Sequence, residues 1–166
     1  MTFYVLQDQA LHKRPDQPFL IFENQTWTYF EFYRCILRVG NWLLKDLGIR
    51  RGEIVALDGG NSPEYLMIWF ALEGIGAIPS FVSNNVTGQS LVHCIKVCSN
   101  NQHYDFGSET HSFIKLCECR YILCDSENKH NVEPCEEEMG RFGVSESKPM
   151  HVKTVLISKP GQDSVL

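Results

Sequence analysis

The stretch from Gly52 to Val82, GEIVALDGGNSPEYLMIWFALEGIGAIPSFV, decides the architecture of this chain. Ile54 to Leu57 is a short, wholly apolar run rich in β-branched residues. That pattern suits a strand buried on both faces rather than one with a wet side. Asp58-Gly59-Gly60-Asn61 breaks the run, and Ser62-Pro63-Glu64 then opens a helix. The serine hydroxyl can cap free amides, the proline ring is pre-set to helical φ, and the acid sits at the positive end of the dipole. The spacing predicts a helix to about Glu73, with Leu66, Trp69, Phe70 and Glu73 on the face that meets the sheet. Gly74 and Gly76 end it, and Ala77 to Val82 is a second apolar strand interrupted by Pro79. Strand, capped helix and strand together predict a right-handed parallel crossover and an α/β fold.

Working towards the N-terminus, Gly48 closes a helix that starts at Thr28. Thr28-Tyr29-Phe30-Glu31 is a capping box, in which the threonine caps and the glutamate reaches back to the cap amide. Phe32, Ile36, Val39, Leu43 and Leu47 make its inner face. Before it, Phe19 to Phe22 and Thr26 to Thr28 read as a hairpin around Glu23-Asn24-Gln25. Thr2 to His12 reads as a short helix with Phe3, Leu6, Ala10 and Leu11 on one side, stopped at Pro15-Asp16-Gln17-Pro18.

Beyond the central unit, Ser83 to Gly88 is a polar loop and Gln89 to Val97 reads as a helix with Leu91, Val92 and Ile95 apolar. Ser99 to Leu116 has no period and reads as an exposed loop. Tyr121 to Cys124, ending at Asp125, is another buried-strand pattern, Glu136 to Met139 closes a short acidic helix, Arg141 to Pro149 is a linker, and Val152 to Ile157 is a last strand. No internal repeat is visible.

Composition narrows the function. With 166 residues, 43% of them hydrophobic and 21% charged, the chain is of ordinary globular make-up and one domain long. A formal net charge of -5, with Lys and Arg never in runs longer than Lys13-Arg14 or Arg50-Arg51, gives no footprint for a nucleic-acid backbone. The first residues carry Asp8, His12, Lys13, Arg14 and Asp16, unlike a signal peptide, and the apolar run Leu66 to Leu72 is too short to cross a bilayer. Seven scattered cysteines without a secretory signal predict reduced thiols inside a cell.

Several constellations bear on chemistry. Asp58-Gly59-Gly60-Asn61, between a strand and a helix N-terminus, is placed as phosphate-binding turns are, yet it lacks dinucleotide or Walker spacing and no lysine follows. A plain turn is the simpler reading. His93, Cys94, Cys98, His103, His111, Cys117 and Cys119 include zinc-type ligands, but Cys-x3-Cys and Cys-x-Cys do not make paired knuckles, and buried free thiols fit the apolar context better. A nucleophilic Cys94 beside His93 is weaker still, because neighbours on a helix do not face each other. Glu136-Glu137-Glu138 reads as a solvated helix face, and Trp27, Trp42 and Trp69 read as packing residues rather than a stacking platform. Residue chemistry alone stops at an incomplete α/β sheet domain with no assembled active site.

A resemblance carries the reading further. At Gln25-Thr26-Trp27-Thr28-Tyr29, Asn61-Ser62-Pro63-Glu64-Tyr65, Gly74-Ile75-Gly76-Ala77-Ile78-Pro79 and Thr87-Gly88-Gln89-Ser90-Leu91-Val92-His93-Cys94 the chain resembles the N-terminal part of the AMP-forming adenylating enzymes. Asn-Ser-Pro-Glu and Leu-Val-His-Cys make it most similar to the fatty acid transport protein and very-long-chain acyl-CoA synthetase branch. Similarity covers Phe3 to Cys98 and resumes from Glu118 to Gly140. The resemblance implies the large domain of such an enzyme, a mixed, mostly parallel sheet with flanking helices and an N-terminal hairpin. It also implies a two-step ligation: ATP and a fatty acid give an acyl-adenylate and pyrophosphate, then coenzyme A displaces AMP, with magnesium assisting. Membranes of the endoplasmic reticulum, peroxisome or lipid droplet are the location it implies.

The family's hydroxyl- and glycine-rich phosphate loop, its magnesium-associated glutamate, its ribose-binding aspartate and its C-terminal lysine are not found in these 166 residues. Ser158-Lys159-Pro160-Gly161 lacks the small residues whose amides cradle phosphates. No residue is therefore assigned a catalytic, cofactor-binding or metal role, and the chain alone is expected to be inactive. The expected organisation is a partial synthetase domain over 1–140, broken by an atypical insertion at 99–117 that reads as translated intron or a mis-set gene boundary, then a linker and last strand over 141–166. An incomplete sheet exposes an edge, so the second reading is a non-catalytic fragment that pairs with a full-length relative or with itself.

Overall fold

The computed structural model describes residues 2–99, 121–125, 129–130, 132 and 153–157, with no account of the side chains at 92, 95–99 and 153–157. The expectations placed on 100–120, on the acidic helix ending at Met139 and on the linker at 141–149 lie outside the described residues.

Helix α1 (Thr2–Asp8) continues into a π-helical turn (Gln9–Lys13), and the hairpin β1 (Pro18–Phe22) and β2 (Gln25–Thr28) follows. Then come α2 (Tyr29–Lys45), β3 (Ile54–Asp58), α3 (Pro63–Ile75), β4 (Ile78–Val82), α4 (Gly88–Ser99), β5 (Tyr121–Asp125) and β6 (Lys153–Ile157). The four-stranded sheet has the order β4-β3-β5-β6, and each of its pairings is parallel. The expected mixed sheet is thus wholly parallel among the described strands, with the antiparallel hairpin as a separate two-stranded sheet.

Side chains of β3 and β5 alternate between two cores, as a doubly covered sheet requires. Val55, Leu57 and Leu123 pack with Phe32, Ile36 and Leu43 of α2 and Ile68, Phe70 and Leu72 of α3. Ala56, Ile122 and Cys124 pack on the other side with Leu91 of α4, Val82 and Val132.

Local signals explain most element boundaries. The capping box is complete: the Glu31 N–H donates to Thr28 Oγ1 at 3.2 Å, and the Thr28 N–H donates to Glu31 Oε2 at 2.9 Å. At the far end of α2, the Leu47 N–H donates to the Trp42 carbonyl and the Ile49 N–H to the Leu43 carbonyl, closing the chain around Gly48 at φ 65°. Ser62 caps α3 by accepting from the Tyr65 N–H at 3.1 Å, and Gly76 ends it in the left-handed region at φ 79°.

Three expectations need correction. Leu11 is 45% exposed and lies outside the buried face of Phe3, Leu6 and Ala10. The hairpin turn is Glu23-Asn24 alone, with Glu23 at φ 51°, and Gln25 already belongs to β2. On α3 the buried residues are Pro63, Glu64, Ile68, Phe70, Ala71 and Leu72, while Leu66, Trp69 and Glu73 are half-buried. That helix is apolar nearly all round, so periodicity could not say which face meets the sheet. Glu73 instead ties elements together, accepting from Trp69 Nε1 at 2.9 Å and from the Phe3 backbone N–H at 3.3 Å.

Candidate functional site at the carboxyl edge of the sheet

From β3 the chain runs through α3 to β4 on one side, then through α4 to β5 on the other side of β3. The strand order therefore reverses between β3 and β5. In open α/β sheets the crevice outside the carboxyl ends of the strands at such a reversal is where ligands bind. Here it holds Asp58 at the end of β3, the Gly59-Gly60 turn, and Asp125 at the end of β5.

The register sets Asp58 opposite Cys124 and puts Asp125 one residue beyond. Asp58 is 1% exposed. Burial, reinforced by the Asp125 carboxylate, pushes its pKa up to about 6. The Gly60 N–H donates to Asp125 Oδ2 at 2.8 Å. The ring of Tyr65 lies against Gly59, 3.1 Å from where a Cβ would stand, and burial together with Asp58 raises its hydroxyl above the usual range. Asn84, from the loop after β4, reaches the same edge, its Nδ2 4.0 Å from a Cβ position on Gly60.

This geometry answers the phosphate question raised by Asp58-Gly59-Gly60-Asn61. A phosphate cradle needs backbone amides aimed at the ligand. The Gly60 amide is already taken by a carboxylate, the Tyr65 amide by the Ser62 hydroxyl, and a second carboxylate lies buried alongside. Bringing in an anion would displace a hydrogen bond and add like-charge repulsion. Two amides at this turn are thus already engaged, and no group of three potential metal ligands occurs among the described residues. The edge is an acid-lined clasp between two strands.

The zinc-type constellation is not brought together within the described residues: His93 is exposed and Cys94 half-buried on α4, and Cys117, Cys119, His103 and His111 lie outside them. Trp27, Trp42 and Trp69 pack against the main core, as expected of packing residues. What sequence reasoning missed is the pairing of Gly60 with Asp125, 65 residues apart. Its signal was an aspartate closing each of two buried strands. Only the strand order makes them neighbours.

A parallel sheet covered by helices on both faces, with its order reversing at β3 and β5, defines the class: a doubly wound α/β domain. Residues 6–101 match the model of the AMP-binding enzyme family, and the chain belongs to that family. A curated relative, the very long-chain fatty acid transport protein of Cochliobolus heterostrophus, is 43% identical over 145 residues, which is 87% of this chain and 19% of that protein. Long-chain fatty acid transport protein 2 of Rattus norvegicus is 37% identical over 95 residues, 57% of this chain and 15% of that protein. The chain thus spans about a fifth or less of the curated relatives it matches. A crystal structure of the anthranilate CoA ligase AuaEII in complex with anthranoyl-AMP superposes with a TM-score of 0.70 at 19% identity, covering 97% of this chain and 26% of that one. The fold is that of the N-terminal domain of adenylate-forming enzymes, and the relatives fall in the branch that the Asn-Ser-Pro-Glu and Leu-Val-His-Cys segments indicate.

Proposed function

We propose that this chain is the opening scaffold of a long-chain or very-long-chain fatty acid:CoA ligase coupled to fatty acid uptake. The longer protein uses ATP, magnesium and coenzyme A to make an acyl-adenylate and then a thioester, at an intracellular membrane. The observation that carries this reading is the 43% identity to a very long-chain fatty acid transport protein across 87% of the chain.

On this reading residues 1–140 are part of the synthetase domain, 99–117 interrupt it, and 141–166 are a linker leading into a further strand. The 166 residues position strands and helices and bind no nucleotide themselves, in keeping with the filled clasp between Gly60 and Asp125. Adenylation depends on groups held in place around the triphosphate, so the chain alone is inactive. Purified chain given ATP, magnesium, a long-chain fatty acid and coenzyme A is expected to release no pyrophosphate above background. Pyrophosphate release dependent on the fatty acid would overturn that part of the reading. For 99–117, sequencing of transcripts decides: molecules lacking those codons support an intron origin, and a population that always keeps them contradicts it.

A second reading rests on β4, the edge of the sheet among the described strands, where Ile78 is 48% and Phe81 51% exposed. An apolar edge strand is a template for pairing with another chain. A soluble complex of fixed stoichiometry with a full-length relative favours this reading, whereas aggregation of the isolated chain favours the first.

A further inference from the structure

We propose that the hollow between α1, the turn that follows it and β1 is a binding site for an unbranched aliphatic monocarboxylate, its chain on an aromatic floor and its carboxylate on Arg14.

The hollow measures about 290 Å³. Its floor is apolar: Leu6 and Phe70 are 3% and 7% exposed, and Phe19 is half-buried. Val5, 60% exposed, also lines it. Ring contacts fix the floor, since the Phe19 centroid is 4.9 Å from that of Tyr29, 4.9 Å from that of Phe32 and 6.3 Å from that of Phe70. A floor formed before any ligand arrives loses little freedom on binding.

Polar groups in the same wall are left over. The Gln9 carboxamide, the Arg14 guanidinium and the Tyr29 hydroxyl make no hydrogen bond or ion pair with a described residue, whereas neighbouring Lys13 is paired with Asp8. The backbone holds Arg14 in place: its N–H donates to the Gln9 carbonyl at 2.7 Å, and its carbonyl accepts from the Gln17 N–H at 3.2 Å. The Tyr29 N–H donates to the Gln17 carbonyl at 3.0 Å, which ties the turn to the start of α2. Arg14 and Tyr29 also border a polar hollow of about 480 Å³ that includes Lys13, Asp16 and Gln17. These two residues therefore stand where apolar surface gives way to polar surface, and Asp16 lines the polar side alone.

Charge and size choose the occupant. A guanidinium forks two hydrogen bonds to a carboxylate, and the chain behind that carboxylate meets Val5, Leu6, Phe19 and Phe70. Small-molecule pockets are mostly apolar with a few converging polar groups, and run from about 300 to 1,000 Å³. This hollow lies at the lower limit, with room for one chain and none for a folded partner. None of its lining residues belongs to the parallel sheet or to the edge that holds Asp58 and Asp125. The inference is independent of the ligase reading, because binding here is measured without ATP or coenzyme A.

The test is calorimetric titration of the full chain with decanoate, with amide NMR shifts to locate the ligand and circular dichroism to verify folding. Saturable binding is expected with a Kd on the order of 0.1 mM, in keeping with a ligand of about a dozen non-hydrogen atoms. The largest shifts should fall at Val5, Gln9 and Arg14. Arg14→Gln should weaken binding about tenfold or more, and Arg14→Lys, which keeps the charge without the fork, should weaken it less. Val5→Asp sets a like charge at an already exposed position and should weaken binding about tenfold, while Arg38→Gln on α2 should leave it unchanged. Decan-1-ol should bind about tenfold more weakly than decanoate. The inference is overturned if decanoate fails to saturate the chain, if Arg14→Gln binds it as well as the unaltered chain does, or if decan-1-ol binds equally well. It is also overturned if the shifts gather at Gly40 and Gly74, which would place the ligand in the cleft between α2 and α3.

Discussion

The Gly60 N–H and the Asp125 carboxylate, 2.8 Å apart, join the loop after β3 to the end of β5. Asp125 thereby occupies the Gly60 amide with a carboxylate of the chain itself. Removing the acceptor in Asp125→Ala should cost on the order of 1–3 kcal/mol, the usual loss when a part-buried donor is stranded. Asp125→Asn keeps an acceptor and should cost less. Urea denaturation of the two variants checks the order, and equal losses would show that the hydrogen bond does not matter.

Asp58 gives the clasp a pH dependence whose sign follows from its raised pKa. The folded value is about 6 against an ordinary 3.8, so the folded chain holds this proton more tightly than the unfolded one. Its favourable contribution is therefore fully present below about pH 4 and is lost as pH rises through 6. The expected span is on the order of 2–3 kcal/mol, at about 1.4 kcal/mol for each pH unit of displacement. Asp58→Asn should flatten stability across this window, and Asp125→Asn should lower the midpoint by removing the neighbouring charge. A slope between pH 4 and 6 that survives Asp58→Asn would assign the effect to another group.

Thr28 nucleates α2 by capping it, and α2 supplies much of the main core. Thr28→Ala should cost about 1 kcal/mol, and Thr28→Ser much less, because serine retains the accepting oxygen. The Glu31 carboxylate is held below the usual range by the Thr28 backbone and hydroxyl, so its support is present at neutral pH and fades as acid protonates it. Thermal unfolding of the alanine and serine variants separates loss of the cap from loss of bulk.

Gly76 stands at φ 79°, and a Cβ there would lie 2.9 Å from Arg51 Cγ. Most of the expected penalty for Gly76→Ala, about 1–2 kcal/mol, comes from the left-handed backbone, since the Arg51 side chain can swing away. The double variant Gly76→Ala/Arg51→Ala should therefore recover little. Near-complete recovery would place the cost in the clash.

The fold was legible wherever a local signal sufficed. Thr28 with Glu31, Ser62 with Pro63, and Gly48 with Gly76 each mark a boundary by capping chemistry or left-handed backbone that no distant residue can alter. Strand order was not legible, because which of β4 and β5 flanks β3 depends on where helices pack. For that reason the closeness of Asp58 to Asp125, and the Gly60–Asp125 hydrogen bond beside it, stayed hidden although each aspartate visibly ended a strand. The α3 face was misjudged for a related cause. Ile68, Leu72, Leu66 and Trp69 are all apolar, and only the positions of α1, α2 and the sheet select which are covered.

The central claim, that these residues form the opening scaffold of a fatty acid-activating ligase, is tested most directly by exchange. Residues 6–101, the span matched to the AMP-binding enzyme family, would replace the corresponding segment of the Cochliobolus heterostrophus very long-chain fatty acid transport protein. ATP-dependent formation of very-long-chain acyl-CoA by the purified chimera would then be measured. Where the parent makes acyl-CoA, the account predicts a folded chimera that retains that synthesis within about tenfold, because on the proposed reading the exchanged part positions the domain without contributing reacting groups. A folded chimera that binds ATP but forms no acyl-adenylate would contradict it.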